Sequence, residues 1–177
     1  IYGAPVDQTG PAGPWLEKET ATKATKIERL LNFLHETDKL WDRRLMLDRA
    51  REVFAEVYLS WESCGLTDAV AGKLFPDVAE NLRAEQARWK TGGASVEYRN
   101  FCVRKVELVL VRNHNDNSRD EYVARVSAHA QKILKRNGAV TGRDEYVTPF
   151  EEYWTFGRLD GQWRLKEVLP SAAGEII

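Results

Sequence analysis

This chain contains few of the residues from which covalent, metal or phosphate-binding sites are built. Of its 177 residues, 2 are cysteine and 3 are histidine. Cys64 and Cys102 are far apart and stand in apolar surroundings, which favours free buried thiols over a disulfide. No group of His, Cys and Asp has metal-ligand spacing, and neither a glycine-rich phosphate loop nor a Gly-x-Ser-x-Gly string occurs. The sequence therefore predicts no metal site and no cofactor.

The chain also lacks a strong net charge and a long apolar run. Its 26 Lys and Arg residues nearly balance 27 Asp and Glu residues, for a formal charge of −1. Nothing in this balance favours nucleic acid as a partner. No run approaches the roughly 18 consecutive apolar residues of a membrane-spanning helix. Because the chain begins with Ile1 instead of methionine, we expect a trimmed segment of a longer protein, with any membrane anchor outside it.

The residues that are present have the composition of one folded domain. The chain is 43% hydrophobic and 30% charged, which is ordinary for a globular protein of this length. Residues 1–19 begin with a stretch rich in proline and glycine and predict an extended arm or linker. We expect the domain over residues 20–170 and a short C-terminal tail over residues 171–177.

The first half of the domain has helical periodicity. From Thr20 onwards, apolar residues recur three and four positions apart and predict an amphipathic helix. Its apolar stripe is interpreted first as a core face, and alternatively as a surface for a membrane or a partner. The stripe consists of Ile27, Leu30, Leu31 and Leu34.

A second helix is predicted from Arg43 to Ser63, and a third from Asp77 to Lys90. The second helix carries Phe54, Tyr58 and Trp61 at helical spacing. We expect it to lie across a sheet and to bury these three rings there, since a sheet face and a helix stripe must cover one another.

After Gly92-Gly93 the pattern changes to that of strands. Val96 to Val111 predicts a long strand in which Arg104-Lys105 disturbs the alternation, so a bulge or bend is expected there. Val106, Leu108 and Leu110 are predicted to share one face.

Two further segments favour strand structure. Glu121 to Lys132 alternates between polar and small apolar residues, and Thr141 to Tyr146 is predicted as a short edge segment. The side of the first segment that we expect to be buried carries Tyr122, Ala124, Val126, Ala128 and Ala130.

The C-terminal part of the domain carries a strong hairpin signal. Asp160-Gly161 separates two aromatic runs, and such a dipeptide adopts a tight hairpin turn at low steric cost. We predict that Phe150–Leu159 pairs with Gln162–Leu169. The face with Trp154 and Phe156 is expected to be buried, and Trp163 continues the alternating pattern on the return strand.

Helices followed by antiparallel strands predict an α+β domain with the helices gathered on one face of a curved sheet. This order is that of the cone-shaped fold of nuclear transport factor 2 and its cystatin-like relatives. That fold commonly encloses a pocket between its helices and its sheet.

Three strings resemble one protein family. They are WDRRLMLDRAREVFAEVYLSWESCGL (Trp41–Leu66), YRNFCVRKVELVLV (Tyr98–Val111) and PFEEYWTFGRLDGQWRLKEV (Pro149–Val168). Together they are similar to the Tim-44-like domain, which takes its name from subunit 44 of the translocase of the mitochondrial inner membrane. Ser60 stands where the family usually has alanine, and Cys102 is a second departure.

The resemblance implies a non-enzymatic binding or scaffold domain that works at a membrane. In mitochondria the family docks an import motor to the inner membrane, and bacterial members often follow transmembrane helices. The implied partners are an anionic phospholipid surface or a protein, and the oligomeric state stays open. In the first helix, lysines and an arginine would meet anionic head groups. These residues are Lys18, Lys23, Lys26 and Arg29.

The residues predicted to contact a lipid or a ligand lie on the first helix stripe and in the helix-to-sheet cleft. The alternative interpretation of the aromatic set is that it forms the core. The predicted residues are Ile27, Leu30, Leu31, Leu34, Phe54, Tyr58, Trp61, Trp154, Phe156 and Trp163.

Two other functions are compatible with the same fold, because fold alone does not determine function. One is a small pocket enzyme of the isomerase or dehydratase type, for which His35 with Asp38 is a candidate pair. The other is a ribosome- or protein-contact module without membrane affinity. Glu152 is expected at the sheet margin, or paired with Arg99 or Arg164, because burial of a lone carboxylate is costly.

Overall fold

Helices occupy the first half of the chain and antiparallel strands the second, as predicted. The computed structural model describes residues 14–169, with side chains from residue 22 onwards. The helices are α1 (Pro14–His35), α2 (Arg43–Ser63), α3 (Asp68–Ala71) and α4 (Pro76–Thr91). The strands are β1 (Ala94–Arg112), β2 (Glu121–Arg136), β3 (Ala139–Arg143), β4 (Thr148–Leu159) and β5 (Gln162–Leu169).

The first helix is longer than predicted. It begins at Pro14 rather than Thr20, so residues 14–19 of the predicted arm are helical. Proline is compatible with this position, because backbone N–H groups in the first turn of a helix have no acceptor within the helix, and proline lacks this group. The rest of the arm and the tail at 171–177 lie outside the described residues. Within residues 14–169, no helix is long and apolar enough to cross a membrane.

Helix α2 is the main cover of the sheet and has the predicted bounds. Asp42 caps its N-terminus by accepting a hydrogen bond from the Leu45 N–H at 2.9 Å, which stabilises the first turn. Phe54 on α2 is fully buried, and its ring lies 4.8 Å from that of Trp154 on β4. The predicted burial of a helix against the hairpin is therefore confirmed for this ring.

The sheet has the strand order β1-β2-β4-β5, and β3 pairs with the far end of β2. The predicted hairpin is confirmed, since β4 pairs with β5 and the turn residues Asp160 and Gly161 have φ values of 52° and 70°. The alternation predicted for β2 is also confirmed. Its buried side consists of Tyr122, Ala124, Val126, Ala128 and Ala130.

Strand β1 is irregular at more places than the sequence indicated. Its pairing with β2 shifts between Val103 and Lys105, where the bulge was predicted, and also at two other points. One of these falls between Leu108 and Leu110. A shift of one residue exchanges the two faces of a strand, so Val111 packs against the core, and the face predicted for Leu110 is wrong.

Arg158 on β4 ties the loop after α1 to the hairpin. Its guanidinium lies 5.3 Å from the ring of Trp41 and 4.9 Å from that of Trp163. It forms ion pairs with Asp38 and, at 3.3 Å, with the buried Asp120. Cation–π contacts and ion pairs reinforce each other when they share a desolvated arginine.

This arrangement corrects one expectation from the sequence. The Asp38 carboxylate pairs with Arg158 and accepts a hydrogen bond from the Leu40 N–H, so the candidate catalytic pair with His35 does not form.

The expectation that both thiols are free and buried is correct for Cys64 only. Both cysteines are free, but Cys102 is exposed.

Gly93 joins the helical half to the sheet in a conformation that requires glycine. Its φ is +70°, and a Cβ at this position would collide with the Asn137 side-chain oxygen. Its carbonyl accepts a hydrogen bond from the Asn137 N–H at 2.8 Å. We expect Gly93→Ala to lower the free energy of unfolding by roughly 1–3 kcal/mol, because Asn137 can move aside but the backbone strain remains.

Gly92→Ala is the matched control for this prediction. Gly92 is not in the left-handed region, and a Cβ there would lie 3.5 Å from the Arg88 carbonyl oxygen, an ordinary contact. We expect this variant to stay within about 1 kcal/mol of the wild type. Urea unfolding of both variants measures the difference, and equal stabilities would contradict the prediction.

Candidate functional site

A cavity of about 270 Å³ opens between the helices and the sheet. Its walls come from α2, α4 and three strands, and five of its nine lining residues are aromatic. The lining residues are Val57, Tyr58, Trp61, Trp89, Val96, Tyr98, Lys132, Glu152 and Trp154.

The aromatic walls are held by ring-to-ring packing. The ring of Tyr58 packs edge-on against that of Tyr98 at 5.1 Å and parallel to that of Trp154 at 6.4 Å. The ring of Trp61 packs edge-on against that of Trp89 at 5.2 Å. Edge-on and offset geometries are those that aromatic pairs prefer. The cavity is therefore bounded by rings that already support one another.

Glu152 brings a carboxyl group into this aromatic surrounding. Tyr58 donates its phenolic hydrogen to one carboxyl oxygen, and the Trp154 indole N–H donates to the other at 3.2 Å. Burial raises the pKa of Glu152 above its ordinary value, and the hydrogen bond from Trp154 offsets part of this effect. Desolvation of the charged form therefore outweighs the hydrogen bonds that favour it.

The predicted cation partners of Glu152 are engaged elsewhere. Arg99 pairs with Glu97 at 3.3 Å, and Arg164 pairs with Asp160 at 3.4 Å. The expectation of a salt bridge for Glu152 is wrong because its place on the inner face of β4 leaves it next to ring hydroxyl and indole donors instead.

Lys132 on β2 is an exposed residue that lines this cavity. It is the one lysine or arginine among the described lining residues. Trp89 also lines a groove of about 420 Å³. The groove is not strongly charged, since Arg88 pairs with Glu85 and Lys135 pairs with Glu97 at 2.9 Å.

The structure divides the predicted contact residues into wall and core. Tyr58, Trp61 and Trp154 line the cavity. By contrast, Phe54, Phe156 and Trp163 are at most 1% exposed and do not line this cavity, so the structure places them in the core. Trp61 packs against Trp89 of α4 rather than against the hairpin.

The apolar stripe of α1 is a core face. Leu31 is buried, and Ile27 and Leu34 pack against the same core, while Leu30 is half-buried. Among the described side chains of this helix, Phe33 is a large apolar residue that is exposed, at 69%. Lys23, Lys26 and Arg29 are also exposed, so a lipid contact of α1 would use a different face from the one predicted.

Sequence reasoning missed the other cavity residues, although some carried a signal. Val96 and Tyr98 alternate at the start of β1 in the way that two residues on one face do. Trp89 was expected on the third helix, but its contact with Trp61 depends on how two helices cross. Among the described residues, no group of three His, Cys, Asp or Glu side chains is placed to hold a metal ion.

No protein-family model and no curated protein sequence matches this chain. Among solved structures, the chain is similar to the intermembrane-space region of the chloroplast protein ARC6, at 12% identity and a TM-score of 0.51. The match covers 71% of this chain and 97% of that region. A designed β-sheet protein matches at 16% identity over 70% of this chain and 84% of its own, with a TM-score of 0.33. The likeness to the ARC6 region shows a shared fold.

Removal of the Glu152 charge should change how stability depends on pH. Below the ordinary carboxyl pKa of about 4.3, Glu152 is neutral both folded and unfolded. As the pH rises from there through the raised pKa of the folded state, the unfolded state loses its proton first and stability falls. We therefore expect the free energy of unfolding of Glu152→Gln, relative to wild type, to increase with pH across this window.

Urea unfolding at several pH values from about 4 to 8 measures this difference. Glu151→Gln is the control, because Glu151 lies beside Glu152 but on the other face of the strand, near Arg125 at 4.0 Å. A Glu152→Gln effect that is the same at every pH would refute the prediction.

Proposed function

We propose that this chain is a non-enzymatic binding domain of a membrane-attached protein and that the aromatic cavity is its binding site. The observation that carries the proposal is the half-buried carboxyl of Glu152 among five aromatic rings. Stability alone does not favour this arrangement, because a charge kept away from water without a cation costs free energy. A ligand that pairs with the Glu152 carboxylate would account for this arrangement.

The size of the cavity limits what the site would take. At about 270 Å³ it lies just below the roughly 300–1,000 Å³ of pockets that hold drug-sized molecules. It would therefore take one head group or one large side chain. A complete lipid tail is too large for it.

The setting beside a membrane rests on the Tim-44-like resemblance of three strings and on the fold shared with the ARC6 region, which is named as part of an intermembrane space. We place the protein at a bacterial or mitochondrial inner membrane, held there by segments outside these residues. Its partners there are anionic phospholipid or another protein. The exposed Lys26, Arg29 and Phe33 of α1 would add contact with an anionic surface.

A pocket enzyme is a second candidate, and one observation favours it. Glu152 and Tyr58 form a carboxyl–phenol pair within hydrogen-bond reach, and side chains of both types can act as general acid or base when a substrate lies beside them. No histidine lines the cavity. Proton exchange into carbonyl compounds in heavy water, followed by NMR, tests this candidate. Exchange that is faster with wild type than with Glu152→Gln would favour the enzyme over the binding domain.

Sedimentation with lipid vesicles tests the membrane proposal. We expect the domain to sediment with phosphatidylcholine vesicles, and more strongly when the vesicles also contain cardiolipin. Replacement of Lys26 and Arg29 by glutamine should remove the additional cardiolipin effect, since each cation near the surface contributes about 1 kcal/mol. Trp61→Ala should weaken sedimentation with both kinds of vesicle.

Leu59→Ala is the control for Trp61→Ala, because Leu59 is exposed on the same helix but does not line the cavity. It should sediment like the wild type. If the wild-type domain stays in the supernatant with both vesicle types at low salt, the membrane proposal is wrong.

A further inference from the structure

The lining of the cavity has the composition of a site for an organic cation. Ammonium groups bind over the faces of Trp and Tyr rings, and the attraction grows when water is excluded. The cavity brings together two tyrosines, three tryptophans and one carboxylate. Aromatic walls bind a fully methylated ammonium well, because this group has no N–H donor that would lose its hydrogen bond to water on burial.

We infer that this cavity binds the ammonium end of a zwitterionic phospholipid head group of the phosphocholine type, with the phosphate at Lys132. This inference rests on the proposed function and names the ligand class of the same site. The rings and Glu152 hold the cation, while Lys132 stands at the rim where the attached phosphate would lie.

The position of Lys132 in the cavity lining favours a zwitterionic ligand over a plain cation. A lysine or arginine of a partner protein would bring a second cation towards Lys132, which borders the same cavity. A phosphate bonded to the same ligand as the ammonium would instead meet Lys132 favourably.

The protonation of Glu152 links binding to pH. The titratable groups that line the cavity with it are Tyr58 on α2, Tyr98 on β1 and Lys132 on β2, while α4 contributes Trp89, whose N–H donates to Glu85. Burial raises the pKa of Glu152, and burial also raises the pKa of Tyr98. An ammonium ligand binds the ionised carboxylate, so its affinity should increase as the pH rises through the pKa of Glu152.

Soluble head-group compounds test the inference without vesicles. NMR titration of the wild-type chain would use phosphocholine, choline, and the neutral isostere in which carbon replaces the nitrogen of choline. We expect phosphocholine to bind most tightly, choline more weakly, and the neutral isostere at least tenfold more weakly than choline. Choline binding should strengthen between about pH 4 and pH 8, since choline has no group that titrates in this range.

Two variants separate the two ends of the ligand. Glu152→Gln should weaken phosphocholine and choline roughly tenfold and remove the pH dependence. Lys132→Gln should weaken phosphocholine but should not weaken choline, because its charge attracts the phosphate and repels the ammonium. Glu151→Gln is the control and should bind like the wild type, because Glu151 does not line the cavity.

Several results would overturn the inference. They are equal binding of choline and its neutral isostere, unchanged affinity in Glu152→Gln, or tighter binding of a lysine peptide than of phosphocholine. Failure of all three soluble probes, with sedimentation on vesicles intact, would remove the ligand assignment and leave the membrane proposal standing. Binding of phosphocholine without sedimentation would support the assignment and refute the membrane proposal.

Discussion

The structure depends on the close approach of α2 to the curved sheet, and the ring of Phe54 is the centre of that contact. It lies 4.7 Å from the ring of Tyr58 and 4.8 Å from that of Trp154, and 6.1 Å from those of Phe101 and Phe150. This packing requires small residues beneath the helix. The buried alanines of β2 provide them, since larger side chains there would hold the helix away from the sheet and open the core.

The cavity results from the same approach, one helical turn further along α2. Tyr58 follows Phe54 and still contacts β4, while Trp61 packs against α4, and both rings line the cavity. Glu152 on β4 brings a carboxyl group to this cavity. Glu152 accepts hydrogen bonds from Tyr58 and Trp154 but has no ion-pair partner among the described residues, so the site combines a preformed shape with a carboxyl group that lacks a cation.

The features that sequence could predict are those set by local chemistry. The turn at Asp160-Gly161, the bounds of α2 and the alternation of β2 all follow from periodicity or from backbone preferences within a few residues. The face of Leu110 could not be predicted, because it is set by a register shift between Leu108 and Leu110 that the apolar alternation does not show. Nor could the surroundings of Glu152, since they depend on Tyr58, which lies 94 residues earlier in the chain.

The end strands β1 and β5 of the four-strand order affect how another chain could approach this domain. On β5, the backbone of Leu165 is already occupied: its N–H donates to the Lys73 carbonyl and its carbonyl accepts from Phe75. On β1, the register is broken at three places, so its outer backbone groups form no continuous row. An extended peptide would find no long template for strand addition at either edge. A partner of the proposed kind would therefore contact side chains rather than an open row of backbone groups on β1 or β5, and a substitution could change such a contact without any change in the backbone.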